Sequence, residues 1–316
     1  MVALLLRSVP LRPLWNYGCH GKIIIGSFKL QHSNTTNMVL EEVDSPLGFP
    51  GHLDGEQTEK LKSFQQQMDD WRAQHPQEGL TSTGRTDAKE MMHLKFLRAR
   101  GFNVKVAFDL YTTNLLWGVK FQDIGVKNLT MDMVANEIHS GKCFAYGTDL
   151  DGRPCTWVRV GLHKKSKSDS AELERYMAWF FDKSKLTLKP PIETATVVID
   201  LSGISMDSLD MTAARNLSDM LGQRYPESLG YGLLVDAPWI FSAFWKVLKP
   251  FIDPRTIKKI QFVSRKDLSK FVAPEQTPTL FGGTAEYTQD KDPVLTLSGG
   301  VSQLPPKKED QRNSKN

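Results

Sequence analysis

Only three cysteines occur in this chain of 316 residues, Cys19, Cys143 and Cys155. Their separations match no metal-ligand spacing, and an odd number cannot all pair, which argues against a disulfide framework or a thiolate metal centre. They suit a reducing compartment, with Cys143 and Cys155 as buried thiols. Long apolar runs are missing too. The Leu4–Leu6 and Ile23–Ile25 clusters are too short to cross a bilayer, so a soluble or peripheral protein is expected. Charge of one sign is also scarce. A net +4 is little for a phosphate-binding surface, and nucleic acid is not expected as a partner.

Catalytic signatures are lacking in the same way. The chain has no G-x-x-x-x-G-K-[ST] loop, no G-x-G-x-x-G after a strand and no G-x-S-x-G elbow. No histidine pair has the helix-face spacing of a metal site. Neither an enzyme nor a metal or cofactor is expected.

Residues 1–40 hold Arg7, Arg12, Lys22 and Lys29 without any Asp or Glu. Such a start can be a mitochondrial presequence, but its Pro and Gly residues and the want of a clean amphipathic helix favour an untargeted leader. A Pro- and Gly-rich linker follows, and residues 1–50 are assigned to leader and linker. Helices are then expected from about Glu56 to Ala73, with Leu61, Phe64, Met68 and Trp71 on one face, and from Asp87 to Arg100. Asp87 and Glu90 form a capping-box pattern, and Gly101 marks the stop. A further helix, capped by Asn103, carries Val104, Phe108, Tyr111 and Leu115. This helical lobe, residues 51–122, cannot bury its faces alone.

From Lys142 the period changes. Lys142–Tyr146 and Pro154–Val160 read as a hairpin around GTDLDGR. The run from His163 to Lys167 reads as a solvated basic loop. A helix is expected over Ala171–Leu188, a central strand at TVVIDL (Thr196–Leu201), apolar on both faces, and a helix from Met206 to about Arg224. Gly232–Asp236 and Ile260–Ser264 are further strands, with a short helix from Lys266. Alternating strands and helices indicate an α/β domain with a mostly parallel sheet over residues 123–290, followed by a disordered polar tail, 291–316.

One helix, Pro238–Lys249, is wider in its apolar stripe than a surface helix needs. Ile240, Phe244, Val247, Leu248 and Phe251 recur at helical spacing, and Phe241 and Trp245 add a second row. Asp236 is placed to cap it, with Pro238 in its first turn. Burial on two sides explains the stripe; so does a lid over an apolar ligand. Asp253, Arg255, Thr256, Lys258 and Lys259 come directly after it. They suit a solvated turn, or the cations and hydroxyl that a lipid phosphate would need.

FLRARGF (Phe96–Phe102), TDLDGRP (Thr148–Pro154), VIDLSGIS (Val198–Ser205), the YPE…APW…KPFIDP…KI run from Tyr225 to Ile260 and FGG (Phe281–Gly283) together resemble the CRAL-TRIO lipid-binding family. The likeness is to its yeast secretory phosphatidylinositol-transfer type, over about residues 50–290. The resemblance implies a sheet floor, a hydrophobic lipid pocket and a gating helix, Pro238–Lys249, preceded by a helical lobe. It implies a bound phospholipid, phosphatidylinositol favoured, with headgroup contacts from Arg100, Glu227, Asp253, Thr256 and Lys259. Arg100 would act by bracing the site. Ser205, Trp239, Phe241, Phe244, Trp245 and Leu248 would form pocket and gate. Phe144 and Ala145 stand where relatives that also take phosphatidylcholine show tyrosines, which favours the inositol lipid. The resulting expectation is a cytoplasmic monomer that associates transiently with membrane phospholipids and exchanges one lipid without covalent chemistry. A sterol, squalene or retinoid-like ligand, or membrane recruitment without net transfer, are the alternatives.

Overall fold

The computed structural model describes residues 47–76 and 86–306. The leader with its targeting reading, Cys19, the Asp87 side chain and residues 307–316 lie outside the described residues. Helix α1 (Gly55–Gln74) opens with a capping box in which Asp54 accepts from the Gln57 N–H and Gln57 returns to the Asp54 N–H. Leu61, Phe64 and Met68 of α1 pack on Leu94 and Leu97 of α2 (Thr86–Ala99) and Ala107 and Tyr111 of α3 (Val104–Lys120). Asn103 caps α3 by accepting from Val106 N–H at 3.1 Å. The lobe thus fills its own interior, and a short helix, α4 (Ala135–His139), leads from it to the sheet.

The sheet has five strands in chain order: β1 (Cys143–Thr148), β2 (Pro154–Arg159), β3 (Ala195–Asp200), β4 (Leu229–Val235) and β5 (Ile260–Val263). The β1–β2 hairpin is antiparallel and all later pairs are parallel. Helices α5 (Ser170–Ser184), α6 (Met211–Asp219), α7 (Trp239–Leu248) and α8 (Pro254–Lys258) occupy the crossovers. Strands added in one direction by right-handed crossovers put these helices on one face of the sheet.

Side chains alternate between the two faces. Cys155, Trp157, Val198, Leu233 and Val235 bury themselves against Leu268, Val272 and Phe281. Their neighbours Thr156, Val158, Val197, Ile199 and Leu234 look into a cavity under the helices. Apolar residues on both sides of TVVIDL are explained by this arrangement: one set packs, the other lines. Gly283 closes the packed side, where a Cβ would come within 2.0 Å of the Thr277 carbonyl oxygen.

The structure corrects several details. Asp236 does not cap α7. It has φ +50° and accepts from the Arg265 backbone N–H at 2.9 Å and Nε at 3.1 Å, while Pro238 holds the cap position without a side-chain bond. The sixth helix begins at Met211 rather than Met206, because Asp210 supplies the cap by accepting from Ala213 N–H. His163 is buried, although Lys165, Ser166 and Lys167 beside it are exposed. The chain is not a loose tail from residue 291: α9 (Pro293–Thr296) buries Val294 and Leu295, and Asp292 caps it.

Candidate functional site

Between the sheet and helices α5 to α7 lies a cavity of about 310 Å³. Val197, Ile199 and Leu234 form part of its floor, and Phe241, Phe244, Trp245 and Leu248 of α7 its lid. Phe241 and Leu248 are buried, and Phe241 stacks with Trp245 at 6.1 Å between ring centres. Trp239 faces the other way. It is 87% exposed and does not line the cavity, because an α-helix turns it away from Phe241 and Trp245. Ser205 is likewise absent from the lining. It lies in the loop before α6, 3.3 Å from Ser208 Oγ, and Ser208 and Ser218 are the serines that line the cavity.

At the edge near α8 the character changes. Glu227, Ser228, Asp253, Arg255, Thr256 and Lys259 surround a polar recess of about 20 Å³. Leu221, Gly222, Leu229, Asp253 and Thr256 line both recess and cavity, so the two are contiguous. Pro254 starts α8 one residue after Asp253, whose carboxylate accepts the Arg255 N–H at 2.8 Å. Burial opposes the charge on Asp253, but hydrogen bonds from Arg255 prevail and hold its carboxyl below the ordinary value. One turn of α8 then delivers Thr256 and Lys259 to the same wall.

Glu227 organises the charges. Its Oε2 is 3.3 Å from Lys259 Nζ and its Oε1 3.6 Å from Arg255 Nη1. Its backbone holds φ +53°, a left-handed conformation unfavourable for a side-chain-bearing residue, which the surrounding contacts must maintain. The recess has room for about one water molecule, with Lys259 already paired to Glu227.

Arg100 stands behind this wall and does not line it. Its Nη1 donates to the Ala99 carbonyl at 2.9 Å, and its Nη2 lies 3.4 Å from Gln223 Oε1. Burial, and then the neighbouring Arg255, lower its pKa. Two further cations support the site. Arg255 donates to the last carbonyls of α2, and Lys95, fully buried, donates to the Glu193 carbonyl at 2.5 Å and approaches Ser228 Oγ at 3.4 Å. Burial brings the Lys95 pKa down to about 8. In the sequence Arg255 is one cation in a run, and Lys95 falls within the expected helix from Asp87 to Arg100. Met91, Met92 and Ala99, three or four residues from Lys95 and so on its helix face, are the available signal that it faces inward.

Comparison with known proteins gives a consistent picture. A family model described as the CRAL/TRIO domain matches residues 138–283, and one described as the CRAL/TRIO N-terminal domain matches residues 60–112. The phosphatidylinositol transfer protein CSR1 of Eremothecium gossypii is 32% identical over 216 residues, 65% of this chain and 50% of that protein. This chain therefore spans about half of that relative's length. The SEC14 cytosolic factor of Kluyveromyces lactis is 30% identical over 263 residues, 77% of this chain and 83% of that protein. The crystal structure of Sfh5 matches with a TM-score of 0.52 and 18% identity, over 72% of this chain and 82% of that one, a likeness of fold.

Proposed function

This chain belongs to the CRAL/TRIO family, and from that premise we propose that it binds one phospholipid, with phosphatidylinositol favoured, and carries it between membranes. The observation that carries the reading is the continuity of an apolar cavity with a small polar recess, which holds Arg255 and Lys259, through Asp253 and Thr256. Acyl chains would occupy the cavity, where each methylene withdrawn from water contributes about 0.8 kcal/mol. The headgroup phosphate would take Lys259 from Glu227, with Thr256 as a hydroxyl contact. Glu227 and Asp253 would then accept from inositol hydroxyls. Arg100 would brace Ala99, one wall of the recess. The name of the Eremothecium gossypii relative, a phosphatidylinositol transfer protein, supports the same ligand class.

Exchange would occur with α7 swung away at a bilayer surface, without covalent chemistry, by a cytoplasmic monomer bound there transiently. Trp239, Val247, Phe251 and Phe262 are exposed on α7 and the segments beside it. Between Pro238 and Ser264 the chain has five cations and Asp253 as its single acid. An apolar patch amid cations is suited to an anionic lipid surface. Among the described residues no helix is long and apolar enough to cross a membrane.

A second reading, an apolar ligand without a charged head, draws support from Lys259 being already paired with Glu227. Native mass spectrometry of the purified chain, with extraction and identification of its lipid, separates the two. Phosphatidylinositol at one per chain, depleted by Lys259→Ala, supports the first. A sterol-like or other neutral ligand, unaffected by that substitution, overturns it.

A further inference from the structure

The inner end of the cavity, along β2 and the loop after it, is polar, and a phospholipid tail uses none of it. Lys142, His163 and Ser208 are all buried, and all line the cavity. Polar groups placed beside acyl chains are costly unless they are hydrogen-bonded. Most of these are. Lys142 pairs with Glu137, and its Nζ is 3.2 Å from His163 Nδ1. An ammonium only donates, so Nδ1 accepts and the His163 proton is on Nε2, which donates to Asp210 Oδ2 at 3.3 Å. Asp210 is held in turn by the first turn of α6.

Arg159 is different. It is the cross-strand neighbour of Lys142, its backbone N–H donating to the Lys142 carbonyl at 2.7 Å. Among the described residues its guanidinium has no hydrogen-bond or ion-pair partner. It lines both the main cavity and an adjoining chamber of about 130 Å³, which share Cys143, Tyr176 and Phe180. A permanent cation with five N–H donors is therefore held at the junction of two cavities.

We propose that Arg159 is the centre of a second, inner anion subsite, which takes the oxyanion of a single-chain acidic lipid. A carboxylate or a phosphate matches the planar fork of a guanidinium in two parallel hydrogen bonds. The lipid tail runs from there along Thr156, Val158 and Val197 toward α7. This subsite needs the cavity alone and does not rest on phosphatidylinositol as the ligand of the outer recess.

Calorimetric titration of the full chain with oleate, oleyl phosphate and oleyl alcohol, each below its micelle concentration, tests it. One or both anions bind about tenfold or more tightly than the alcohol, the effect expected of a charge-assisted bond. Arg159→Met abolishes that preference, and Arg159→Lys, which keeps the charge, restores part of it; thermal unfolding of each variant checks that it is folded. Preference for oleate alone assigns a carboxylate, and for oleyl phosphate alone a phosphate. Equal affinity for all three in the unsubstituted chain overturns the proposal, as does a preference that persists in Arg159→Met. Because no phosphatidylinositol is used, the result stands whatever lipid the outer recess takes.

Discussion

Nη2 of Arg255 donates to the carbonyl oxygen of Ala99 at 2.6 Å, and its Nη1 to that of Arg98 at 3.0 Å. The last carbonyls of an α-helix have no partner within the helix, so a side chain of α8 completes α2. This guanidinium joins the lobe to the wall of the recess, beside the contact of Lys95 with Ser228. Arg255→Ala leaves the Arg98 carbonyl with the Gly101 N–H alone and the Ala99 carbonyl with Arg100 Nη1 alone, and lowers stability by about 1 kcal/mol, seen as a lower urea midpoint at unchanged slope. Arg255→Lys recovers only part, since a point charge cannot reproduce the fork.

Lys259→Ala removes the one ammonium of the recess. Phosphatidylinositol affinity falls about tenfold to a hundredfold, the effect of losing a hydrogen bond to a charged group. Thr256→Val costs less, because a neutral hydroxyl contact contributes less. Binding of phosphatidylinositol to each variant by fluorescence displacement ranks them.

Trp239 makes a prediction about membranes rather than about the cavity. Its side chain is almost wholly in solvent, so Trp239→Ser leaves the melting temperature in place. Co-sedimentation with anionic vesicles weakens about tenfold, the equivalent of withdrawing one large apolar side chain from the interface. The doubly substituted Phe244→Ala, Trp245→Ala chain behaves differently: both rings line the cavity, so ligand retention suffers as well.

His93 sets a pH limit on the lobe. It is buried among Phe64 and Tyr111, neither ring nitrogen has a hydrogen-bond partner among the described residues, and its pKa is lowered from 6.5 to about 4, first by burial and then by Arg72 and Lys89. The unfolded chain takes up this proton near pH 6.5, the folded chain only near pH 4. Stability from this residue is therefore complete above pH 6.5 and is lost as the pH falls toward 4, by about 3 kcal/mol at most. His93→Phe flattens this part of the stability–pH curve, measured by urea unfolding at a series of pH values.

Much of the architecture was legible in the residues because the signals were local. TVVIDL announced a strand buried on both faces, and the spacing from Ile240 to Leu248 announced α7. What was not legible depended on partners distant in sequence. Asp236 looked like a cap until Arg265, twenty-nine residues on, claimed its carboxylate. A stripe as wide as that of α7 does not say which residue is turned outward, so Trp239 was placed with the lid. Spacing could not separate Arg255, which ties α2 to α8, from Lys259, which faces Glu227. His163 was hidden in a basic run whose other members are in solvent.

The two-sided use of β3 and β4 has a consequence for how such a chain can change. Val198, Leu233 and Val235 hold the sheet to Phe281 and its neighbours, while Val197 and Ile199 line the cavity on the opposite face. Cargo and foldedness are thereby assigned to alternate positions of the same strands. A lineage can reshape its pocket one methyl group at a time on the odd-numbered residues of β3, and leave the even-numbered ones to keep the molecule intact.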